Sequence, residues 1–217
     1  MRLHFTLRGE TPLLMHQDDV DASDRLQEWR RDPANKGVSV SGDDRSPAWT
    51  WQAYCYTDGK RLTIPSANLM VALRQAGAQL ILKKQKTFKE ISQSGMFCAD
   101  EFLEFRCGPK LEQVAAADIA AFSEMTFTQQ ADAVRKLGFR LFAKRAKIGT
   151  AKHIRVRPRF DQWAVSGDIE TIAPELTLEV VRQLFNLAGR VGLCDWRPGC
   201  KTPGPFGMFS ATVEQVK

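Results

Sequence analysis

Ten lysines and arginines and no acidic residue fall between Ala133 and Phe160. Arg140, Lys144, Arg145, Lys147, Lys152, Arg155, Arg157 and Arg159 flank a Gly149-Thr150 step, with Phe139, Leu141, Ile148, Ile154, Val156 and Phe160 interleaved among them. The alternation predicts two β-strands folded on each other, one face apolar and the other cationic. Such a face can capture a polyanion, because every phosphate it neutralises releases condensed counterions. A solvated charged surface is the plainer reading of a charge run, but surface runs usually mix both signs and this one does not. Arg155, Arg157 and Arg159 alternate with Ile154, Val156 and Pro158, which predicts three guanidiniums on one face at steps of about 7 Å. That matches an extended single strand of phosphates, which guanidinium grips bidentately.

Other residues could take part. Trp163, Trp196, Trp49 and Trp51 are candidates for stacking on bases, although most tryptophans belong to a core. Arg197 is a further candidate for contact with the nucleic acid; in Asp195-Trp196-Arg197-Pro198 the alternative is a locked loop, with Asp195 pairing a neighbouring arginine and Trp196 packed beneath. Lys83, Lys84 and Lys86 follow a predicted helix and either suit its dipole or form a second basic patch. His153 could serve as general acid or base at a bent RNA 2′-hydroxyl, or simply contact a phosphate. Asp18, Asp19 and Asp21 could hold a divalent ion, or be solvated loop carboxylates. No Ser-His-Asp order, HExxH or dinucleotide fingerprint is present. The five cysteines lack paired short spacings, Cys194 and Cys200 coming nearest. Neither a metal nor a cofactor is expected.

The elements that must position these residues can be read coarsely. Leu3, Phe5 and Leu7 alternate with polar residues as in a half-buried strand. The segment from Gln17 to Pro47 is polar and net acidic, a long functional or partly disordered loop, with a short helix over Arg25 to Arg31. Trp49 to Thr57 and Lys60 to Ile64 read as strands joined at Asp58-Gly59. A helix is expected from Ala67 to about Leu82, capped by Ser66. Phe97 to Phe105 reads as a strand, with Phe97, Phe102 and Phe105 as core candidates. Ala115 to Met125 and Gln129 to Leu137 are weakly helical. Leu178, Val181, Leu184, Phe185 and Ala188 define the firmest helix, ending at Val191. A Gly- and Pro-dense loop follows from Gly192 to Gly207, against the cationic face, and then a final strand. With 217 residues and a net charge of +6, a single domain with an anionic partner is expected. No apolar run is long enough to span a membrane, and the N-terminus lacks a signal-peptide core, which predicts a cytoplasmic protein.

The order of strand, long insertion, helix, strand, hairpin, helix, glycine-rich loop and strand predicts an α+β protein with a ferredoxin-like (RRM-like) βαββαβ core. The final helix, loop and strand resemble the C-terminal signature of the RAMP superfamily, which builds CRISPR ribonucleoproteins. Thr11-Pro12-Leu13-Leu14-Met15-His16, Ile64-Pro65, Arg157-Pro158-Arg159-Phe160 with Trp163, Ala188-Gly189-Arg190, Asp195-Trp196-Arg197-Pro198 and Phe206-Gly207-Met208-Phe209 narrow this. They resemble phage relatives of the CRISPR effector backbone subunit. The resemblance implies a single-stranded RNA (or DNA) partner, further copies of the chain, other ribonucleoprotein subunits, and a thumb-like insertion over 17–48. Endonucleases of that superfamily imply the minority roles for His153 and for the Asp18 to Asp21 acids; a single-strand DNA-binding protein and a mimic of a CRISPR subunit are further alternatives.

Overall fold

Leu3, Phe5 and Leu7 are fully buried, while Arg2, His4 and Arg8 are exposed, so the alternating pattern does make the first strand half-buried. The computed structural model describes residues 1–148 and 151–216, with side chains except at 147, 148 and 151. The Gly149-Thr150 turn and the Lys147 side chain therefore lie outside the described residues. In chain order the strands and helices are β1 (Arg2–Gly9), β2 (Leu13–Leu14), α1 (Val20–Arg31), β3 (Thr63–Pro65), α2 (Ser66–Gly77), β4 (Ile81–Lys83), β5 (Lys86–Thr87), α3 (Lys89–Ser94), β6 (Met96–Cys98) and β7 (Phe102–Cys107). They continue as α4 (Ala116–Ala120), α5 (Phe127–Lys136), β8 (Arg140–Ile148), β9 (Ala151–Phe160), β10 (Trp163–Thr171), α6 (Leu178–Val191) and β11 (Phe209–Gln215). The described residues thus form a mixed α+β fold with six helices and a mostly antiparallel main sheet.

That sheet has the order β11-β1-β10-β7-β3, with β6 also paired to β10. α2 and α6 pack together against one face, where Leu69, Leu73, Leu184 and Phe185 are buried and the Phe5 and Phe185 rings meet at 5.3 Å. The opposite face is polar: Arg2 and His4 both hold Asp168 at 2.7 Å, and Arg106 holds Glu104. A second sheet, β2-β9-β8, carries the basic hairpin, registered from Arg140 opposite Arg159 to Ile148 opposite Ala151. Its base joins the core through Phe139, Val156 and Phe160. No helix among the described residues is long and apolar enough to cross a membrane.

Several elements differ from expectation. The chain does double back at Asp58-Gly59, where Thr57 bridges Leu62 and Thr63 N–H donates to Tyr56 O, but Thr50–Tyr54 is a 3₁₀ turn and the first of the two expected strands does not form. Trp51 is the reason: its fully buried indole is claimed by the core and donates to Gln130 Oε1 at 2.6 Å, which also removes it from base stacking. Phe97 to Phe105 is broken into β6 and β7, leaving Phe97 and Phe102 exposed while Phe105 is buried. α2 stops at Gly77, and the chain turns directly into the β4–β5 ribbon. The acidic insertion is structured, its helix beginning at Val20 with Asp19 as N-cap.

α6 matches its expected span and lies on β11 at Gly189, where an added Cβ would run into the Phe209 carbonyl oxygen. Gly189→Ala should cost about 1–3 kcal/mol by overpacking, read as a lower urea midpoint with an unchanged m-value.

Candidate nucleic-acid interface

Strand alternation puts the three β9 arginines on one face as the sequence predicts, but the ribbon is not divided into an apolar and a cationic face, because Arg145 and Lys152 lie on the side of Leu141 and Val156. Arg140, Phe142 and Lys144 of β8 face the same way as Arg155, Arg157 and Arg159 of β9. Three acidic groups meet that face. Asp44, from the insertion and only 5 % exposed, accepts from Arg155 Nη1 at 2.9 Å, Arg157 Nη1 at 3.2 Å and the Val156 backbone N–H at 3.0 Å. Around it the backbone pairs with β9: Ile154 N–H donates to Gly42, and Asp44 N–H donates to Ile154. Asp195 accepts from Arg157 Nε at 3.3 Å. Asp161 accepts from Arg159 at 2.8 Å and from Arg140 at 2.9 Å. Burial alone would raise the Asp161 pKa, but the hydrogen bonds from Arg140 and Arg159 hold it below the usual carboxylate range.

The expectation of a phosphate ladder along Arg155, Arg157 and Arg159 is therefore corrected. The Arg157 side chain is 12 % exposed, its guanidinium stacked on Tyr54 at 4.1 Å and donating to His16 Nε2 at 3.2 Å. Arg155 and Arg159 retain partial exposure, but both are committed to carboxylates, as is Arg140. Arg155 and Arg157 fasten the hairpin to the insertion and to the Gly192 to Gly207 loop, while Arg140 and Arg159 close its base on Asp161. Since arginine can only donate, His16 accepts at Nε2 and is held in the neutral form. Burial lowers the His16 pKa, and the Arg157 charge lowers it further.

Trp163 is also corrected: it is 2 % exposed, and its indole donates to Thr11 O at 2.8 Å, so its ring belongs to the core. Arg197 is 8 % exposed and donates to Gln75 Oε1 at 2.7 Å, so it ties the loop to α2 and does not reach a ligand. The loop does lie against the expected face, with Phe206 on Phe142 at 5.5 Å and Asp195 pairing Arg157.

What remains available lies from the Arg155 register outward. Lys144 Nζ sits 3.0 Å above the centroid of the half-buried Trp196 ring, and Trp196 has a positive φ of 46°, a conformation that non-glycine residues adopt only when their surroundings hold them there. Arg145 and Lys152 are exposed on the other face of the ribbon. None of these three cations has a carboxylate partner among the described residues. Lys83, Lys84 and Lys86 are exposed on the separate β4–β5 ribbon.

The minority catalytic residues are not brought together. His153 packs on Gly42, whose φ is +77° and where any Cβ would meet the imidazole, and its buried Nδ1 has no hydrogen-bond partner among the described residues. Asp19 caps α1 by accepting from Ala22 N–H, while Asp18 and Asp21 are exposed. Among the described residues no group of three or more His, Cys, Asp or Glu side chains is placed to hold a metal. Asp44, His16 and Tyr54 were missed as members of this network. Spacing does not distinguish Asp44 from Asp43; the only signal was an acidic insertion in a chain with a basic hairpin.

A scan against protein-family models matches none, and a search of curated proteins finds no match either.

Removing the Asp44 charge leaves Arg157 buried with one fewer partner, so Asp44→Asn should destabilise by about 3 kcal/mol in urea unfolding and speed proteolysis within 17–47. His16 supplies a pH test. A folded pKa below the unfolded 6.5 means that unfolding takes up a proton. The contribution is complete above about pH 6.5 and is lost as pH falls through the folded value. Wild type should lose stability between pH 7 and 5, and His16→Gln should be flatter over the same window.

Proposed function

We propose that the protein binds single-stranded nucleic acid, in the first instance RNA, as a non-catalytic subunit of a ribonucleoprotein, through the outer half of the basic hairpin. The observation that carries this is the placement of Lys144, Arg145 and Lys152: exposed, unpaired with any described carboxylate, and distributed over both faces of one ribbon. With the neighbouring arginines of the hairpin committed to carboxylates, these are the cations that its described side chains leave to an outside anion. Trp196 beneath Lys144 supplies an aromatic face on which a base can stack once a phosphate draws the ammonium aside.

We infer a ferredoxin-like core for the same chain. Read as β1, α2, β7, β10, α6 and β11, the elements run βαββαβ, and the sheet order puts the fourth strand beside the first, then the third, then the second. That order, with the resemblance of both chain ends to the RAMP superfamily, supports the reading as a CRISPR-like or phage-derived subunit. The polar, ion-paired open face of the sheet favours the hairpin over the sheet as the binding surface.

Replacing Lys144, Arg145 and Lys152 together by Glu should weaken single-stranded RNA binding at least tenfold and lower the slope of log K against log salt by about 2. Trp196→Ala should cost about 1–3 kcal/mol of affinity. Fluorescence anisotropy at several salt concentrations checks both, and labelled RNA should remain whole throughout. Unchanged affinity in the triple variant would sink the assignment.

A further inference from the structure

α1 is a twelve-residue helix with no buried residue, and clefts separate it from the body. Two of them, of 420 and 460 Å³, share Trp29, Trp49, Ser123 and Glu124 and so form one groove. Each is within the size range of ligand sites. Glu28 and Asp32 complete the acidic side of the first cleft, whose only cationic lining residue is Arg25. Glu28 and Glu124 have no ion-pair partner among the described residues, whereas the Asp32 carboxylate accepts from Ala34 N–H. The Arg25 guanidinium lies 4.1 Å from the Trp49 ring centroid.

We propose that this groove binds an arginine-bearing peptide segment of a partner protein. Charge complementarity selects the occupant: Arg45, which lines the second cleft, is already held by Asp43 at 2.7 Å, and three carboxylates against the remaining Arg25 guanidinium repel a phosphate chain and attract a cation. The two indoles select the kind of cation, because planar guanidinium stacks on an indole and also pairs with carboxylate, which ammonium does less well. Arg25 on Trp49 is that interaction already made within the chain. The guest guanidinium takes the Trp29 side, between Glu28 and Glu124. The groove belongs to the insertion and to the segment around Ser123, not to the hairpin cations, so the proposal stands apart from nucleic-acid binding.

The test is a titration of the full chain with a fluorescein-labelled Arg-Ala-Arg-Ala-Arg peptide, followed by anisotropy, alongside the same peptide with each arginine replaced by citrulline. Binding of the arginine peptide is expected, with at least tenfold weaker binding of the citrulline peptide. Trp29→Ala and, separately, Glu28→Gln with Glu124→Gln should each weaken binding about tenfold; both changes lie at exposed or half-buried positions, and circular dichroism reports whether the fold is kept. The Lys144, Arg145 and Lys152 triple variant should bind the peptide as wild type does. Three results would overturn the proposal: no binding, equal binding of the citrulline peptide, or displacement of the peptide by single-stranded RNA in that triple variant.

Discussion

A single carboxylate, that of Asp44, joins the two most differently charged parts of the chain. It comes from the acidic insertion, is buried, and accepts from two arginines and one backbone N–H of β9. Neither part could take its present form alone. Without Asp44 the largely enclosed Arg157 would keep, among the described residues, Asp195 alone as a carboxylate partner, and without β9 the insertion would lose the backbone pairing at Gly42 and Asp44 that orders its end. An ion pair of this kind adds little net stability over an apolar pair of equal volume, but it tolerates no other register, since a slip leaves a charge buried and unpaired. The contact therefore sets where the insertion lies and only secondarily how stable the protein is.

The same constraint divides the hairpin electrostatically. At its base, Asp44, Asp161 and Asp195 offset Arg140, Arg155, Arg157 and Arg159, and the Gly192 to Gly207 loop closes over them. Lys144, directly opposite Arg155, and Arg145 and Lys152 beyond it have no such compensation among the described residues. A uniform run of positive charge in the sequence thus becomes a largely offset root and, from the Arg155 register outward, a cationic end. The proposed grip on nucleic acid rests on that end, and the acidic α1 groove gives the molecule a second surface of opposite preference.

Parts of this were legible in the chain. Helix α6 was, because its apolar residues recur at helical spacing and Thr177 caps it; so was β1, by strict alternation, and so was the hairpin with three arginines on one face. The segment around Trp51 was not, because its strand-like composition gave way to the burial of one indole and its bond to Gln130. Phe97 and Phe102 were misread as core because aromatic content was the only signal there, and the break between β6 and β7 sends both to the surface. Trp163 and Arg197 have ligand-binding chemistry in the abstract, but their polar atoms are taken up by Thr11 and Gln75.

Composition and local pattern were enough to determine the α+β character, the charge asymmetry between insertion and hairpin, and which side chains share a face of the ribbon, since these follow from the period of a strand and a count of charges. Which of the like-charged arginines remain available to an outside partner was decided only by tertiary structure. That choice depends on where distant carboxylates such as Asp44 and Asp195 arrive in space, and contacts that span 38 residues to Asp195 and more than a hundred to Asp44 leave no mark in local spacing.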